Sequence, residues 1–552
     1  MLNGRSIDQV ERGATRGGYE DQAFYHSERY EANNTADSSR TYLIDLWVGD
    51  NPCLKSLIIA GEYFKAKTRT TRIKRDQVSN NVLILMSDEH TRSVMGAYGN
   101  TLAHTPTLDS LACRGVRFDN AYTPSPICIP ARASFATGTP VFDHRCWSSA
   151  EPYFGQQQSW MHRLRDRGHE VTSIGKLHYR SADDDTGFSE SLHPMYLANE
   201  GRGWPQGLQR RPMGEFAGTI ELARELGPGE TSYTQYDREI TASAVDWLGR
   251  HSQPSDRPWV LYVSYICPHY PLSAPEQFFD LYRDVELPAA FDRDEATRLK
   301  HPVIDAMRAF WDYADYFDPE TERLGLQNYY GLCSFLDDNV AQVLAALDHS
   351  GQAANTQIIY TSDHGDQIGN HGIWGKSFMY EDSAGIPLTI TGPGIECGVN
   401  QTPVSLIDLA STIETAVGAE VSQAESTWQG RPLQSFIDSP EAERAVISEY
   451  HDGGSPCGSF MLRKGQLKLM CFADDNPPLL FDLQQDPQEL SNLAERPEHA
   501  QSVQHMTQQL YQILDPQAVN DAAFADQARM IETLGGMEEI LAMPSFNHTP
   551  LD

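Results

Sequence analysis

The sequence predicts an α/β fold in which a large, mostly parallel mixed sheet is flanked by helices, followed by a smaller C-terminal α+β subdomain with a short antiparallel sheet. From residue 80 onward, short apolar runs alternate with helical stretches, which is typical of parallel sheets. After about residue 440, short apolar runs follow one another closely before a helix near Pro497. We therefore expect an N-terminal extension at 1–78, a main domain at 79–440, and a C-terminal subdomain with its tail at 441–552.

The individual elements follow from hydrophobic periodicity. Apolar runs predict strands at 82–86, 171–174, 259–265 and 358–360. Leucines and valines at helical spacing predict a helix from residue 328 that Gly351 ends. Further strands are expected within 444–450, 459–470 and 478–484, whereas the tail from residue 515 is less periodic. In the extension, residues 41–63 carry two apolar segments, and the basic run at 65–75 is typical of a solvated linker.

Composition restricts the partners and the compartment. The 552 residues carry a formal net charge of −33, which repels nucleic-acid phosphates and anionic membranes, so we expect neither as a partner. An anionic substrate would need a local cluster of cations or a metal ion. The 9 cysteines are odd in number and scattered, and no apolar run has the length of a signal peptide or membrane span. These features predict a cytoplasmic protein.

Polar side chains follow four of the predicted strands, where open α/β sheets bind their ligands. Asp or His after a strand is also common as a helix cap or turn former, but four such groups at one sheet edge favour a site. Asp88, Asp363 and His364 would supply two carboxylates and an imidazole, a reasonable set for one divalent cation. The residues in question are Asp88, Glu89, His90, Lys176, His178, His269, Asp363, His364 and Asp366.

A fifth segment places Cys128 at the positive end of a helix. Pro130 suits the first helical turn and Gly138 suits the end, so the helix is expected to begin near residue 129. Arg132 lies four residues further on the same face, so its guanidinium can approach the group at position 128. An oxyanion formed at that position would be stabilised by both the helix end and the guanidinium.

The pattern C-x-P-x-R followed by A-S and T-G in residues 128–138 resembles the signature of the sulfatases. The resemblance covers nearly all of residues 80–500 and implies an alkaline phosphatase-like fold, with 79–440 as the catalytic domain. Asp363-His364, in place of Asp-Asn, resembles the branch of choline sulfatases and phosphonate monoester hydrolases. The matching segments include NVLILMSDEH, IGKLHYR, PHYPL, TSDHGDQIGNHGIWGKSF and LFDLQQDPQELSNLA.

The resemblance implies a nucleophile and a metal site. In sulfatases the cysteine is oxidised to formylglycine, here by a formylglycine-generating enzyme acting on Cys128, and the hydrated aldehyde is the nucleophile. By similarity, Asp88, Asp363, His364 and the side chain at 128 would hold one divalent cation, expected to be calcium, with manganese or zinc as alternatives. Many sulfatases have a second aspartate ligand at the position of Glu89, but the branch does not use this position, so Glu89 is left out of the predicted ligands.

The resemblance also implies the remaining catalytic roles. Arg132, Lys176 and Lys376 would bind the sulfate group. Either His269 or Lys376 would protonate the departing alcohol or phenol. His178 would be the base that acts on the second hydroxyl of the hydrate.

Three functions remain open from the sequence. Hydrolysis of aryl or alkyl sulfate monoesters is expected first. A phosphonate monoester or phosphodiester hydrolase would use the same metal and cations on tetrahedral phosphorus. A non-catalytic, metal-holding binding module with an unmodified Cys128 is the third, although such a module has no use for both an acid and a base. The two terminal segments further suggest a homo-oligomer, either a dimer or a tetramer.

Overall fold

The computed structural model describes residues 79–551 apart from 215, 217, 254–256, 420–429 and 547. The extension predicted at 1–78, with its apolar segments and basic run, lies outside the described residues. Among the residues that are described, no helix is both long enough and apolar enough to span a bilayer.

The strands form one large sheet, one two-stranded pair and one C-terminal sheet. In chain order they are β1 (Asn81–Asp88), β2 (Val116–Phe118), β3 (Ala121–Tyr122), β4 (Val171–Lys176), β5 (Glu190–Met195), β6 (Val260–Pro268), β7 (Thr356–Ser362), β8 (Leu388–Thr391), β9 (Gly398–Asn400), β10 (Val404–Ser405), β11 (Ala445–Tyr450), β12 (Ser459–Lys464), β13 (Leu467–Phe472) and β14 (Leu479–Asp482).

Helices pack on both faces of the large sheet, and three further helices follow the last strand. In chain order they are α1 (Pro106–Cys113), α2 (Cys128–Thr137), α3 (Val141–His144), α4 (Trp160–Asp166), α5 (Ala198–Gly201), α6 (Gly218–Arg224), α7 (Ser232–Arg250), α8 (Glu276–Phe279), α9 (Pro302–Trp311), α10 (Pro319–His349), α11 (Glu381–Ala384), α12 (Asp408–Ala416), α13 (Leu433–Asp438), α14 (Ala500–Ile513), α15 (Pro516–Thr533) and α16 (Met537–Leu541).

The large sheet has the order β5-β4-β6-β1-β7-β8-β2-β9. Its first five strands run parallel, and β8 is antiparallel to both β7 and β2. Each of the four strands predicted in this domain lies at a strand of the sheet, so the predicted fold class is confirmed. The central strand β1 is buried on both faces, as expected when helices cover a parallel sheet.

The residues of β1 alternate between two hydrophobic cores. Val82, Ile84 and Met86 pack with α2, α4 and α12 on one face of the sheet. Leu83 and Leu85 pack with α1, α7 and α10 on the other face. This alternation follows from the period of two along a strand, and it buries β1 between the two layers of helices.

The long helix α10 begins earlier than predicted. It starts at Pro319 rather than near residue 328 because the Asp318 carboxylate accepts the backbone N–H groups of Glu320 and Thr321. Its first turns are rich in polar residues, so hydrophobic periodicity does not detect them. Helix α2 begins at Cys128, one residue before the predicted start.

The C-terminal subdomain carries the predicted antiparallel sheet, in the order β11-β12-β13-β14. The tail is more regular than its sequence suggests, because α15 spans 18 residues there. Its buried face includes two amide side chains: Gln527 donates to the carbonyl of His451, and Asn520 accepts the N–H of Gly458. Since these contacts are polar, a hydrophobic pattern cannot reveal them. The boundary near residue 440 stays a prediction.

A buried lysine joins this subdomain to the main sheet. Lys468 of β13 is fully buried, and its Nζ lies 2.9 Å from Glu381 Oε1 and 2.8 Å from Glu489 Oε1. Removing one partner from a buried ionic cluster leaves the remaining charges uncompensated.

We therefore expect Lys468→Met to lower the free energy of unfolding by about 3–5 kcal/mol, as urea denaturation would measure. The control is Lys300→Ala, because Lys300 is exposed and lies 3.7 Å from Glu295, and its loss should cost at most about 1 kcal/mol. Equal effects of the two substitutions would contradict a structural role for Lys468.

Candidate functional site

Neighbouring parallel strands bring two aspartates together. Ser87 of β1 lies beside Ser362 of β7, so the next residue of each chain segment, Asp88 and Asp363, projects from the same sheet edge. Both carboxylates are fully buried. Arg132 bridges them, with its Nη2 2.9 Å from Asp88 Oδ2 and its Nε 2.8 Å from Asp363 Oδ2.

Helix α2 delivers Cys128 to this pair. The Cys128 Sγ lies 3.6 Å from Asp88 Oδ1 and 3.1 Å from His364 Nε2. The other ring nitrogen of His364 lies 3.0 Å from the carbonyl of Gly365, so Nδ1–H donates there and Nε2 faces the sulfur. One ligand atom each from Asp88, Cys128, Asp363 and His364 lies within 4.8 Å of the others.

This group fits a divalent cation. Arg132 bonds only the Oδ2 oxygen of each aspartate, which leaves Asp88 Oδ1 and Asp363 Oδ1 on the side of His364, each 3.8 Å from its Nε2. Carboxylates and imidazoles are common ligands of such ions.

Three cations balance the carboxylates of the site. Lys176 Nζ lies 2.6 Å from Asp88 Oδ2, and Lys376 Nζ lies 3.0 Å from Glu89 Oε2 and 3.5 Å from Cys128 Sγ. Burial alone would raise the pKa of Asp88, but the positive charges of Lys176 and Arg132 outweigh burial and hold that pKa well below 3.8. Asp88 is therefore ionised at neutral pH.

Lys376 and His269 form a hydrogen-bonded pair next to Cys128. Lys376 Nζ lies 2.5 Å from His269 Nε2, while His269 Nδ1 lies 2.7 Å from the carbonyl of Tyr270. Burial first, and then the charges of Lys376 and Lys176, hold the pKa of His269 well below its usual value. The imidazole is therefore neutral, donates through Nδ1 to Tyr270, and accepts an N–H of Lys376 at Nε2.

His178 contacts the C-terminal tail. Its Nε2 lies 3.0 Å from Thr549 Oγ1, and its Nδ1 is buried without a hydrogen-bond partner. The carbonyl of Thr549 in turn accepts the hydroxyl of Tyr233. No sequence motif pointed to Thr549, because a contact between residues 371 positions apart depends only on how the tail packs.

A small cavity of about 120 Å³ opens in front of Cys128. Its described lining contains no carboxylate, and its walls are largely aromatic. The polar groups His178, His269 and Lys376 also reach this cavity. The aromatic side chains are Trp204, Phe216, Tyr233, Tyr270, Trp311, Tyr313 and Phe546.

The structure thus brings the nine predicted site residues to one sheet edge, whereas their individual roles stay predictions. The aromatic wall and the tail contacts were not predicted, and Glu89 contacts Lys376 although it was left out. These nine residues are Asp88, Cys128, Arg132, Lys176, His178, His269, Asp363, His364 and Lys376.

Comparisons with known proteins agree on one family. The profile of the sulfatase family matches residues 80–419, and that of the C-terminal part of N-sulphoglucosamine sulphohydrolase matches residues 369–515. A choline-sulfatase of Rhizobium meliloti (strain 1021) is 33% identical over 430 residues, covering 76% of this chain and 83% of that protein. Arylsulfatase K of Danio rerio is 29% identical over 441 residues, covering 75% of this chain and 80% of that protein.

A solved structure shares the fold. The phosphonate monoester hydrolase of Agrobacterium radiobacter superimposes with a TM-score of 0.63 at 24% identity. The match covers 79% of this chain and 95% of that chain.

Proposed function

This chain belongs to the sulfatase family of sulfuric ester hydrolases, and on that premise we propose that it hydrolyses sulfate monoesters of small aryl or alkyl alcohols with an oxidised side chain at position 128 as the nucleophile. The observation that carries the proposal is the position of Cys128. It lies in contact with Asp88, His364 and Lys376 at the floor of an aromatic cavity.

Sulfatases generally use a metal ion and formylglycine, and this chain has a candidate metal site. We propose that Asp88, Asp363, His364 and the side chain at 128 hold one divalent cation. Calcium fits the carboxylate oxygens, and manganese or zinc would suit the imidazole equally. When bound, the ion would polarise the sulfate oxygens and lower the pKa of a neighbouring hydroxyl.

The protonation state of Cys128 argues against the unmodified thiol as the nucleophile. Burial first, and then the charge of Asp88, raise the pKa of the Cys128 thiol to about 12. At neutral pH the thiol is therefore protonated and a weak nucleophile. A formylglycine-generating enzyme is the partner that conversion of Cys128 to formylglycine requires.

The side chains around position 128 suggest a two-step reaction. One hydroxyl of a formylglycine hydrate at position 128, after losing its proton to solvent under the influence of the bound ion, would attack sulfur. The sulfur–oxygen bond to the alcohol would break, and Lys376 would donate the proton that the departing oxygen needs. His178 would then take the proton of the second hydroxyl, the carbon–oxygen bond to sulfate would break, and the aldehyde would be restored. Arg132 and Lys176 supply fixed positive charge at the carboxylate edge of the site.

The cavity favours a small substrate whose recognition does not require a carboxylate of the protein. Its aromatic faces suit an aryl ring, and they also suit a quaternary ammonium through cation–π contacts. Choline sulfate, the substrate named for the Rhizobium relative, is therefore one candidate. The described lining offers no carboxylate to an ammonium group, so cation–π contacts with residues such as Trp204 and Trp311 would have to carry its recognition.

A phosphonate monoester or phosphodiester hydrolase is the alternative activity of the same site. The cations and candidate metal ligands suit tetrahedral phosphorus as well as sulfur. The resemblance to the solved phosphonate monoester hydrolase concerns the fold, so only the chemistry of the site supports this alternative.

The compartment and the assembly are further proposals. The buried cysteines of the described residues are thiols outside any disulfide, which supports a cytoplasmic location; they are Cys128, Cys146, Cys267, Cys333 and Cys457. A dimer or tetramer stays a prediction. The tail contacts its own chain through Thr549 and Gln527, so an intersubunit role for the tail finds no support in these contacts.

The proposed activity predicts a higher kcat/KM for a sulfate ester than for a phosphonate monoester. We expect kcat/KM for 4-nitrophenyl sulfate to exceed that for a phenyl phosphonate monoester, and mass spectrometry of the peptide around residue 128 to show formylglycine. Cys128→Ala should remove the activity, whereas Cys457→Ala, which removes a buried thiol that does not line the cavity, should retain it. The reverse ratio would favour the phosphonate alternative, and an unmodified Cys128 in active enzyme would contradict the proposed nucleophile.

The contact of His178 with the tail predicts a second effect on turnover. Thr549→Val removes a hydrogen bond worth about 0.5–1.5 kcal/mol, so kcat should fall by roughly two- to tenfold through loss of His178 orientation. Thr549→Ser keeps the hydroxyl and should restore most of the activity. Equal kcat values for the valine and serine variants would show that the tail does not orient His178.

A further inference from the structure

We propose that Glu89 is a positioning residue, whose carboxylate holds the ammonium of Lys376 against His269 so that Lys376 is aimed at the departing oxygen of the substrate. This inference rests on the proposed function. It concerns a residue that the resemblance left without a role.

The backbone of Glu89 is fixed in an unusual conformation. Its φ is 66°, in the left-handed region that costs a non-glycine residue roughly 1–2 kcal/mol. Hydrogen bonds on both sides hold it there: its N–H lies 3.3 Å from Asp363 Oδ1, and its carbonyl accepts the hydroxyl of Tyr329 at 2.6 Å. A strained backbone that its surroundings hold from both sides is typical of functional positions.

The side chain of Glu89 is directed at the Lys376–His269 pair. The Glu89 Oε2 lies 3.0 Å from Lys376 Nζ and 3.4 Å from His269 Nε2. Glu89 is fully buried, and its Oε1 has no hydrogen-bond partner, so its polar contacts run through the single oxygen that faces Lys376.

The three N–H groups of Lys376 each have an acceptor. They are directed at Glu89 Oε2, at His269 Nε2 at 2.5 Å and at Cys128 Sγ at 3.5 Å. The ring of Tyr270 lies below the ammonium, with its centroid 4.9 Å away. An ammonium that is held by three acceptors and an aromatic face has one preferred orientation, and only its contact at position 128 faces the reacting group.

The alternative is that Glu89 is a metal ligand. Asp88, Glu89 and His269 do bring three ligand atoms within 4.8 Å of one another. The Lys376 ammonium already contacts Glu89 and His269, however, and a cation placed between these two would stand beside a fixed positive charge. In the group of Asp88, Cys128, Asp363 and His364, the Lys376 ammonium contacts only Cys128. Lys176 and Arg132 contact the Oδ2 oxygens of the two aspartates, which leaves both Oδ1 oxygens facing His364 for an ion.

Removing the charge of Glu89 should therefore affect proton delivery more than metal binding. With Glu89→Gln, the attraction that draws Lys376 towards Glu89 is weakened, and Asp88 and position 128 compete for the ammonium. A phenol with a high pKa needs a proton in order to depart, whereas 4-nitrophenol departs without one. The loss of activity should accordingly grow with the pKa of the leaving phenol.

The test is a series of aryl sulfates whose phenols span a range of pKa values, assayed with the wild type, Glu89→Gln, Lys376→Ala and the double variant, alongside the bound metal per chain. We expect Glu89→Gln to lower kcat/KM by about tenfold or more for phenyl sulfate and by less than about threefold for 4-nitrophenyl sulfate, with metal content unchanged. In the Lys376→Ala background, Glu89→Gln should have little further effect. Glu151→Gln, the same change at a buried carboxyl that bonds Ser148, should leave the dependence on leaving group unchanged.

Three results would overturn the proposal. An equal loss for all esters together with lost metal would identify Glu89 as a ligand instead. Losses that simply add in the double variant would show that Glu89 does not act through Lys376. If the wild type is active but Glu89→Gln does not alter the dependence on the leaving group, only the role of Glu89 is overturned. If the wild type is inactive on every ester, the proposed function is overturned together with the role of Glu89.

Discussion

The guanidinium of Arg132 is the interaction on which the site depends. It binds Asp88 at the end of β1 and Asp363 just after β7, and its Nη1 also reaches the carbonyl of Lys176 in β4 and the hydroxyl of Ser264 in β6. Arg132 lies on α2, one turn beyond Cys128, so the same contacts fix the position of the nucleophile. A planar, permanently charged guanidinium can donate to several acceptors at once in a fixed geometry, which a lysine ammonium could not do as well.

Charge explains why these groups can be buried together. Three carboxylates, Asp88, Glu89 and Asp363, contact three cations, Arg132, Lys176 and Lys376, so the formal charges of these six side chains sum to zero before any ion binds. A divalent cation would give this group of side chains an excess of two positive charges. That excess would attract a sulfate monoester in spite of the overall charge of −33, which by itself would repel an anion.

Local patterns in the sequence predicted those site residues whose positions follow from the parallel strands. Apolar runs followed by Asp88, Lys176, His269 and Asp363 indicated one shared sheet edge, because the carboxyl ends of parallel strands meet there. Contacts between residues that are distant in the sequence could not be predicted in this way, because no local sequence pattern marks them. The left-handed turn at Glu89 is held by Asp363, which follows β7, and by Tyr329 of α10. Thr549 reaches His178 only after the tail has folded back. Helix α15 was missed for a related reason, since buried amides rather than a hydrophobic face fix it.

The location of a bound metal ion tests this account most directly. Anomalous X-ray scattering from crystals grown with Mn²⁺ should show one peak at coordinating distances of about 2.0–2.6 Å from Asp88, Asp363, His364 and the side chain at 128. A peak between Glu89 and His269, or no peak beside residue 128, would contradict the claim that Arg132 assembles a metal-dependent nucleophile at this sheet edge.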